Sequence, residues 1–314
     1  MTSDNTSHAI PIATRASPLA QIQAQQVADA LRQYSHGRMH GVLTPMTTSG
    51  DLHSLASNQQ STANKEAFVA EIRQAVLNGS CQLAVHSLKD LPTQPVPGLT
   101  TIAITERICP QDAVISQKGR TLADLPEGAR VGFSSLRRKT LLHQFRPDLQ
   151  QVQIRGNIQT RLQKMEQGAC DALILAAAGL IRLDLEHRIT ELLPLQSWLP
   201  APGQAALAVE CRDDDPRATQ WRTALQHQPS FVCTAAERHF GDYLQADCHA
   251  PIGAFAQIIS GQIQLRGFVA SLEGDLFLEE ALTGSLDQSA SLGPRLAHIL
   301  EQKAGVQLQT LWKV

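Results

Sequence analysis

The sequence predicts two α/β lobes followed by a small α+β domain. Three observations carry this. Short apolar runs of strand length alternate with amphipathic helical stretches from residue 9 to residue 211. That alternation pauses and restarts near residue 106. After residue 250 the pattern changes to alternating strands broken at Ser260-Gly261 and Gly274-Asp275, which reads as an antiparallel meander. With 314 residues, 43% of them hydrophobic, the chain can fill more than one core, and a disordered chain is excluded. The expected boundaries are residues 1–105 with 206–225 for the first lobe, 106–205 for the second and 226–314 for the third domain.

Taken in order, residues 9–13 (AIPIA) form a buried strand. Ser17 then caps a helix with Pro18 at its first position, and Ala20, Ala24, Val27, Leu31 and Tyr34 fall on one face. Residues 40–64 are polar and weakly patterned and read as a mobile loop. A helix at 65–77 ends at Asn78-Gly79. QLAVH (82–86) is a buried strand that runs into SLKDLP, and residues 100–105 form another. In the second lobe, strands are expected at 112–116, 129–133, 152–156 and 171–177. Ser134-Ser135 and Asn157 cap the helices that follow the second and third of these. Residues 204–211 form a further strand after the Pro202-Gly203 break. A helix at 231–244, the meander, and a helix at 290–303 stopped by Gly305 complete the chain.

The net charge of −2 argues against a nucleic-acid binder. No run approaches the roughly 18 apolar residues of a membrane span, and the N-terminus lacks the features of a secretory signal. The expected compartment is the cytoplasm. Cys81, Cys109, Cys170, Cys211, Cys233 and Cys248 have no metal-site spacing, so no metal is expected. Arginine outnumbers lysine 20 to 7, and ten of the arginines lie between residues 105 and 200. Guanidinium forks hold carboxylates or phosphates two-pronged. Arg15, Asp90, Ser134 to Arg138, Arg155 and Arg161 all fall just after predicted strands, where open α/β sheets bind ligands. Arg137 and Arg138 lie about 100° apart on a helix, which suits two anionic groups better than one. In RGNIQTR (155–161), Arg155 and Arg161 bracket a helix start. Asp90, beside Lys89, offers a carboxylate for acid, base or counter-ion chemistry. Cys248, in ADCHAPIG, reads as a loop thiol able to act as a nucleophile.

IATRASPLA, HSLKDLP, FSSLRR, IRGNIQTRL, LAAAGLIRL, LPAPGQ and ADCHAPIG occur in this order, and together they resemble the porphobilinogen deaminase family. The resemblance runs from about residue 10 into the third domain. It implies two periplasmic-binding-protein-like lobes plus a small α+β domain with an antiparallel sheet. It also implies a transferase, a hydroxymethylbilane synthase, which joins four porphobilinogen units head to tail with loss of ammonia and releases a linear tetrapyrrole. The primer implied is a dipyrromethane held by a thioether at Cys248. The family's catalytic aspartate falls on Asp90, and Lys89 beside it is expected to share in the catalysis. Its carboxylate-binding arginines fall on Arg15, Arg137, Arg138, Arg155, Arg161 and Arg182, and its cleft-lining positions on Ser17, Lys89 and Ser135. Of these, Lys89, Asp90, Ser135, Arg137 and Arg138 are expected at the cofactor, and Arg15, Ser17, Arg155, Arg161 and Arg182 at the substrate. The implied partner is porphobilinogen alone, with no nucleic acid and no membrane, and the implied state is a monomer.

Three departures from the family pattern stand out. STANKEAF keeps Lys65 and Phe68 where the family has a glycine-rich lid. Ala205 replaces the second glycine of a GQG. Ala246-Asp247 precede Cys248 where Gly-Gly is usual. Two other readings compete: a two-lobe binding protein without chemistry, which leaves Cys248 and the third domain unexplained, and a degenerate deaminase that loads its cofactor poorly.

Overall fold

The computed structural model describes residues 8–51, 65–246, 250–272, 274–306, 308 and 312. The first stretch holds β1 (His8–Arg15), α1 (Pro18–Tyr34), β2 (Met39–Met46), α2 (Ala70–Leu77), β3 (Leu83–Ser87) and β4 (Leu99–Ile104). The next holds β5 (Asp112–Ser116), β6 (Arg130–Phe133), α3 (Leu136–Phe145), β7 (Gln150–Gln153), α4 (Ile158–Glu166), β8 (Ala172–Ala176), α5 (Ala177–Arg182) and β9 (Glu191–Leu192). The last holds β10 (Leu207–Arg212), α6 (Ala218–Leu225), α7 (Gln228–Tyr243), β11 (Ile252–Ile259), β12 (Gln262–Ala270), β13 (Phe277–Ser285) and α8 (Ser289–Ala304). The chain divides into two compact units, Met1–Arg107 with Ala206–Phe231, and Ile108–Ala205 with Val232–Val314.

In the first unit the sheet order is β2-β1-β3-β10-β4. β1 runs parallel to β2 and β3, and β10 runs antiparallel to β3 and β4. β10 is buried along all but its last residue, as an inner strand covered on both faces must be. One face packs Ile10, Ile12, Leu83 and Val209 against Leu31 of α1 and Trp221 of α6. The other packs Ala13 and Ala84 against Ile72 and Val76 of α2. α1 begins as its sequence dictates: Pro18 occupies the first turn and the Ser17 hydroxyl accepts from the Ala20 amide at 3.4 Å.

In the second unit the order is β7-β6-β8-β5-β9, again with three parallel strands and an antiparallel one fourth in line. Both lobe sheets therefore share one pattern of strand directions, although along the chain the antiparallel strand is the last of its sheet in the first unit and the first in the second. The three-stranded antiparallel sheet β11-β12-β13 packs Leu265 and Val269 against Phe240 of α7 and Leu296 and Leu300 of α8. Its remaining β12 side chains, Phe268 and Ala270, join the core of β5, β6 and β8 around Trp198. Polar contacts follow the same seam: Arg266 donates to the carbonyls of Leu195 and Gln196 at 3.2 and 2.7 Å, and Lys139 donates to that of Leu272 at 3.2 Å.

Several expectations are corrected. Residues 40–46, read as loop, belong to β2, an edge strand on which Pro45 costs no inner ladder bond. There α1 crosses so closely that a Cβ at Gly41 would stand 2.5 Å from that of Ala28. The helix expected from residue 65 opens as a 3₁₀ turn, Lys65–Phe68, and becomes α-helical only at Ala70. Ser135 sits at the cap position of α3 without a side-chain cap bond. Residues 52–64, which hold most of the 57–68 stretch expected as an altered lid, lie outside the described residues. No helix among the described residues is long and apolar enough to cross a membrane.

Candidate active site

In the first unit, parallel β1 and β3 end at the same sheet edge, and each hands a charged residue to the turn that follows. Arg15 closes β1, and Lys89 and Asp90 occupy the 3₁₀ turn Leu88–Asp90 directly after β3. Arg15, Gln23, Ser87 and Asp90 line one recess, with Phe68 at its side. Asp90 is exposed there and Lys89 is half-buried. Arg15 pairs with Asp51, and its guanidinium lies 4.6 Å from the Phe68 ring centre. Burial opposes the charge on Asp51, but Arg15 and Thr48 outweigh it and hold the carboxyl below its usual range. Gln23 Nε2 donates to the Ser87 hydroxyl at 3.0 Å, which ties α1 to the end of β3. Ser17 is engaged as the helix cap.

Beneath this turn lies a buried charge network. Arg73 of α2 grips Glu210 of β10 with two bonds of 3.0 Å, and His86 Nε2 lies 3.2 Å from the same carboxylate. Burial raises the Glu210 pKa, yet its contacts with His86 and Arg73 outweigh this and bring it down to about 2.

In the second unit the arginines of SSLRR both turn inward. Arg137 and Arg138, 3% and 5% exposed, converge on Asp112, which is fully buried. Arg138 binds it two-pronged, through Nε at 3.0 Å and Nη2 at 2.7 Å, and Arg137 reaches it with Nη2 at 2.7 Å. Trp198 Nε1 and Gln204 Nε2 each donate to the same carboxylate at 3.0 Å. Burial alone would raise the Asp112 pKa, but the two guanidinium charges drive it far below the usual carboxylate range. Burial and the neighbouring Arg138 charge lower the pKa of Arg137, against the attraction of Asp112. The two arginines, expected to suit two anionic groups, both engage the protein's own Asp112 here. Among the described residues the balance is two cations for one anion, and Arg137 Nε is buried without an acceptor.

The other arginines sit at the same edge of the sheet. Arg155, beyond β7, is exposed. Arg161, in the first turn of α4, donates to the Gly156 carbonyl at 2.7 Å. Arg182, at the end of α5, is buried and donates to the Ala205 carbonyl at 2.9 Å, and burial lowers its pKa to about 10. Cys248, with Asp247 and His249, lies outside the described residues. Thus Arg15 and Asp90 share one recess in the first unit, Arg137 and Arg138 share one carboxylate in the second, and Arg155, Arg161 and Arg182 have separate local settings.

The description "Porphobilinogen deaminase, dipyromethane cofactor binding domain" matches residues 10–220, and "Porphobilinogen deaminase, C-terminal domain" matches residues 231–302. A porphobilinogen deaminase of Xanthomonas axonopodis pv. citri (strain 306) is 44% identical over 297 residues, which cover 95% of this chain and 97% of that one. The chain belongs to the porphobilinogen deaminase family. A second relative of that name, from Xanthomonas campestris pv. campestris (strain B100), matches at the same identity and coverage. Among solved structures, the methionine binding protein MetQ aligns at 12% identity and a TM-score of 0.44, over 69% of this chain and 89% of that one.

Sequence reasoning missed Asp112, although the signal is there. CPQDAVIS places an acidic residue at the start of an apolar strand. Had β5 been recognised as antiparallel to its neighbours, its first residue would have fallen at the edge where the arginines begin their helix. Gln204 and Trp198 were missed because their bonds to Asp112 span 92 and 86 residues.

Proposed function

We infer that the chain is a hydroxymethylbilane synthase, a transferase that condenses four porphobilinogen units head to tail with loss of ammonia and releases the linear tetrapyrrole. The observation that carries the site assignment is the charge surplus at Arg137 and Arg138. Among the described residues two buried guanidiniums face one buried carboxylate and Arg137 Nε has no acceptor, an arrangement that favours a further anion, since unpaired charge is costly in a protein interior. A dipyrromethane, which bears carboxylate side chains, supplies that anion, and the residues present fit it.

When bound, the dipyrromethane supplies the primer on which the pyrrole chain grows. Arg137 and Arg138 hold its carboxylates, with Ser135 at the uncapped start of α3 and Lys89 as further donors. Cys248 carries the thioether. Asp90, exposed in its recess, stabilises positive charge as ammonia leaves and holds a proton during bond formation. Arg15 and Ser17, together with Arg155, Arg161 and Arg182, take the acetate and propionate groups of the substrate. Each added ring brings two negative charges, which accounts for the arginine inventory. Residues 226–314 form the cofactor-carrying domain in this reading, residues 106–205 the second lobe, and the remainder the first. The protein works as a cytoplasmic monomer.

Intact-protein mass tests this directly. The wild-type chain is expected to carry the mass of one dipyrromethane, and Cys248→Ser none. Asp90→Ala is expected to keep the added mass while turnover falls by roughly 10² to 10⁴, the usual range for losing acid–base assistance. A wild-type chain that stays unmodified after incubation with porphobilinogen would overturn the reading in favour of a binding protein. Undiminished turnover in Asp90→Ala would remove that residue from the chemistry.

A further inference from the structure

We propose that Asp112 is a positioning residue for the arginine pair, fixing which N–H groups of Arg137 and Arg138 are presented to a ligand carboxylate. The inference rests on the reading that this pair holds the dipyrromethane.

β5 runs antiparallel to β8, with Asp112 opposite Ala176. β6 and β8 are parallel. The first residue of β5 is therefore carried to the edge where the other strands end and where α3 begins. A carboxylate placed there meets the first turn of α3 from beneath. It takes the Nε and Nη2 side of Arg138 as a two-pronged pair, which leaves the Nη1 side. From Arg137 it takes Nη2, and the Leu199 carbonyl takes Nη1 at 2.8 Å, which leaves the buried Nε. A planar guanidinium held along one side has its orientation set, so the remaining donors point in fixed directions.

The carboxylate is itself held on both oxygens. Trp198 Nε1 donates to Oδ2, and Gln204 Nε2 donates to Oδ1 while also reaching the Pro110 carbonyl at 2.8 Å. A mere counter-charge needs only proximity. Here donors from β6–α3, from the segment around Trp198 and from Gln204 all converge, and each restricts where the carboxylate can sit. Supports of this kind keep ligand-binding side chains within the narrow tolerance that a site requires.

The test separates position from charge. Asp112→Glu keeps the negative charge but moves the carboxylate by one methylene. Apo wild type and variant are given preformed hydroxymethylbilane, and dipyrromethane loading is followed by intact mass, with thermal unfolding as the folding control. Loading at least tenfold slower at an unchanged Tm is expected; loading at the wild-type rate overturns the proposal. If Asp112→Glu does not fold, Trp198→Phe decides. It removes one bond to Oδ2 and keeps an aromatic ring in the core. Loading slowed about threefold or more at a wild-type Tm supports the proposal, and loading at the wild-type rate overturns it. A wild-type chain that never loads defeats the underlying reading and this inference with it, whereas normal loading in the folded variant defeats this inference alone.

Discussion

Ala205 takes φ 78°, a left-handed conformation that costs a residue with a Cβ about 1–2 kcal/mol. The family pattern has glycine here, and the chain keeps the backbone shape without it. Its carbonyl is held by Arg182, so the strain sits in a segment anchored from outside. Ala205→Gly relieves the strain but loses a buried methyl and frees the unfolded chain, the last effect worth about 0.4–1 kcal/mol. The net expectation is a stabilisation below about 1 kcal/mol, read as a small rise in Tm with the dipyrromethane mass retained. Single residues also show how far a sequence can be read. The residue types and the sheet edge of the arginines followed from strand-to-helix spacing and the family motifs. Their partners did not, because Asp112 lies 25 and 26 residues from Arg137 and Arg138, and only the folded sheet brings them together.

α4 begins at Asn157, whose side chain accepts from the amide and hydroxyl of Thr160 at 2.8 and 2.9 Å. Just before it, Gly156 has φ 118°, and Thr160 packs where its Cβ would stand, at 2.7 Å. The cap and the glycine together turn the chain from β7 into the helix that carries Arg161. Asn157→Ala is expected to lower stability by about 1 kcal/mol, the usual value of a lost cap, measured as a drop in Tm. Elements with such local punctuation were readable: Ser17-Pro18 opens α1, Asn157 opens α4, and Gly305 closes α8 in a left-handed conformation. Elements defined by tertiary pairing were not. β2 is a strand because β1 pairs with it along its whole length, although its Gly41 and Pro45 look like loop residues. α6 is short, and it is fixed by Trp221 and Leu225 facing the sheet. The 3₁₀ turn at Lys65–Phe68 has no distinct pattern of its own.

At the scale of the whole molecule, each unit buries a carboxylate against arginine, Glu210 in the first and Asp112 in the second. Both have pKa values below the ordinary range once folded. A depressed carboxylate stabilises the fold fully above its unfolded pKa and loses that contribution as pH falls. For Glu210 the window runs from 4.5 down to about 2. Urea unfolding at a series of pH values is expected to show stability falling through this window. Glu210→Gln should flatten the part due to the first unit, and it should cost up to about 3–5 kcal/mol near neutral pH because buried Arg73 loses its buried partner and keeps the exposed Glu66, 3.7 Å away. A slope identical to wild type would show that Glu210 does not titrate in this range. The strand order of the first lobe has another consequence, for the order in which the protein comes into being on the ribosome. β10 lies between β3 and β4, yet it is made only after every strand of the second lobe sheet, which is built from a continuous stretch of chain. The first lobe thus waits as two separate pieces of sheet, with its inner edges open to wrong partners, while the second lobe already has all its strands. The half of the enzyme that bears Asp90 is begun first and closed later, so a stall in synthesis before residue 207 leaves it the more vulnerable of the two.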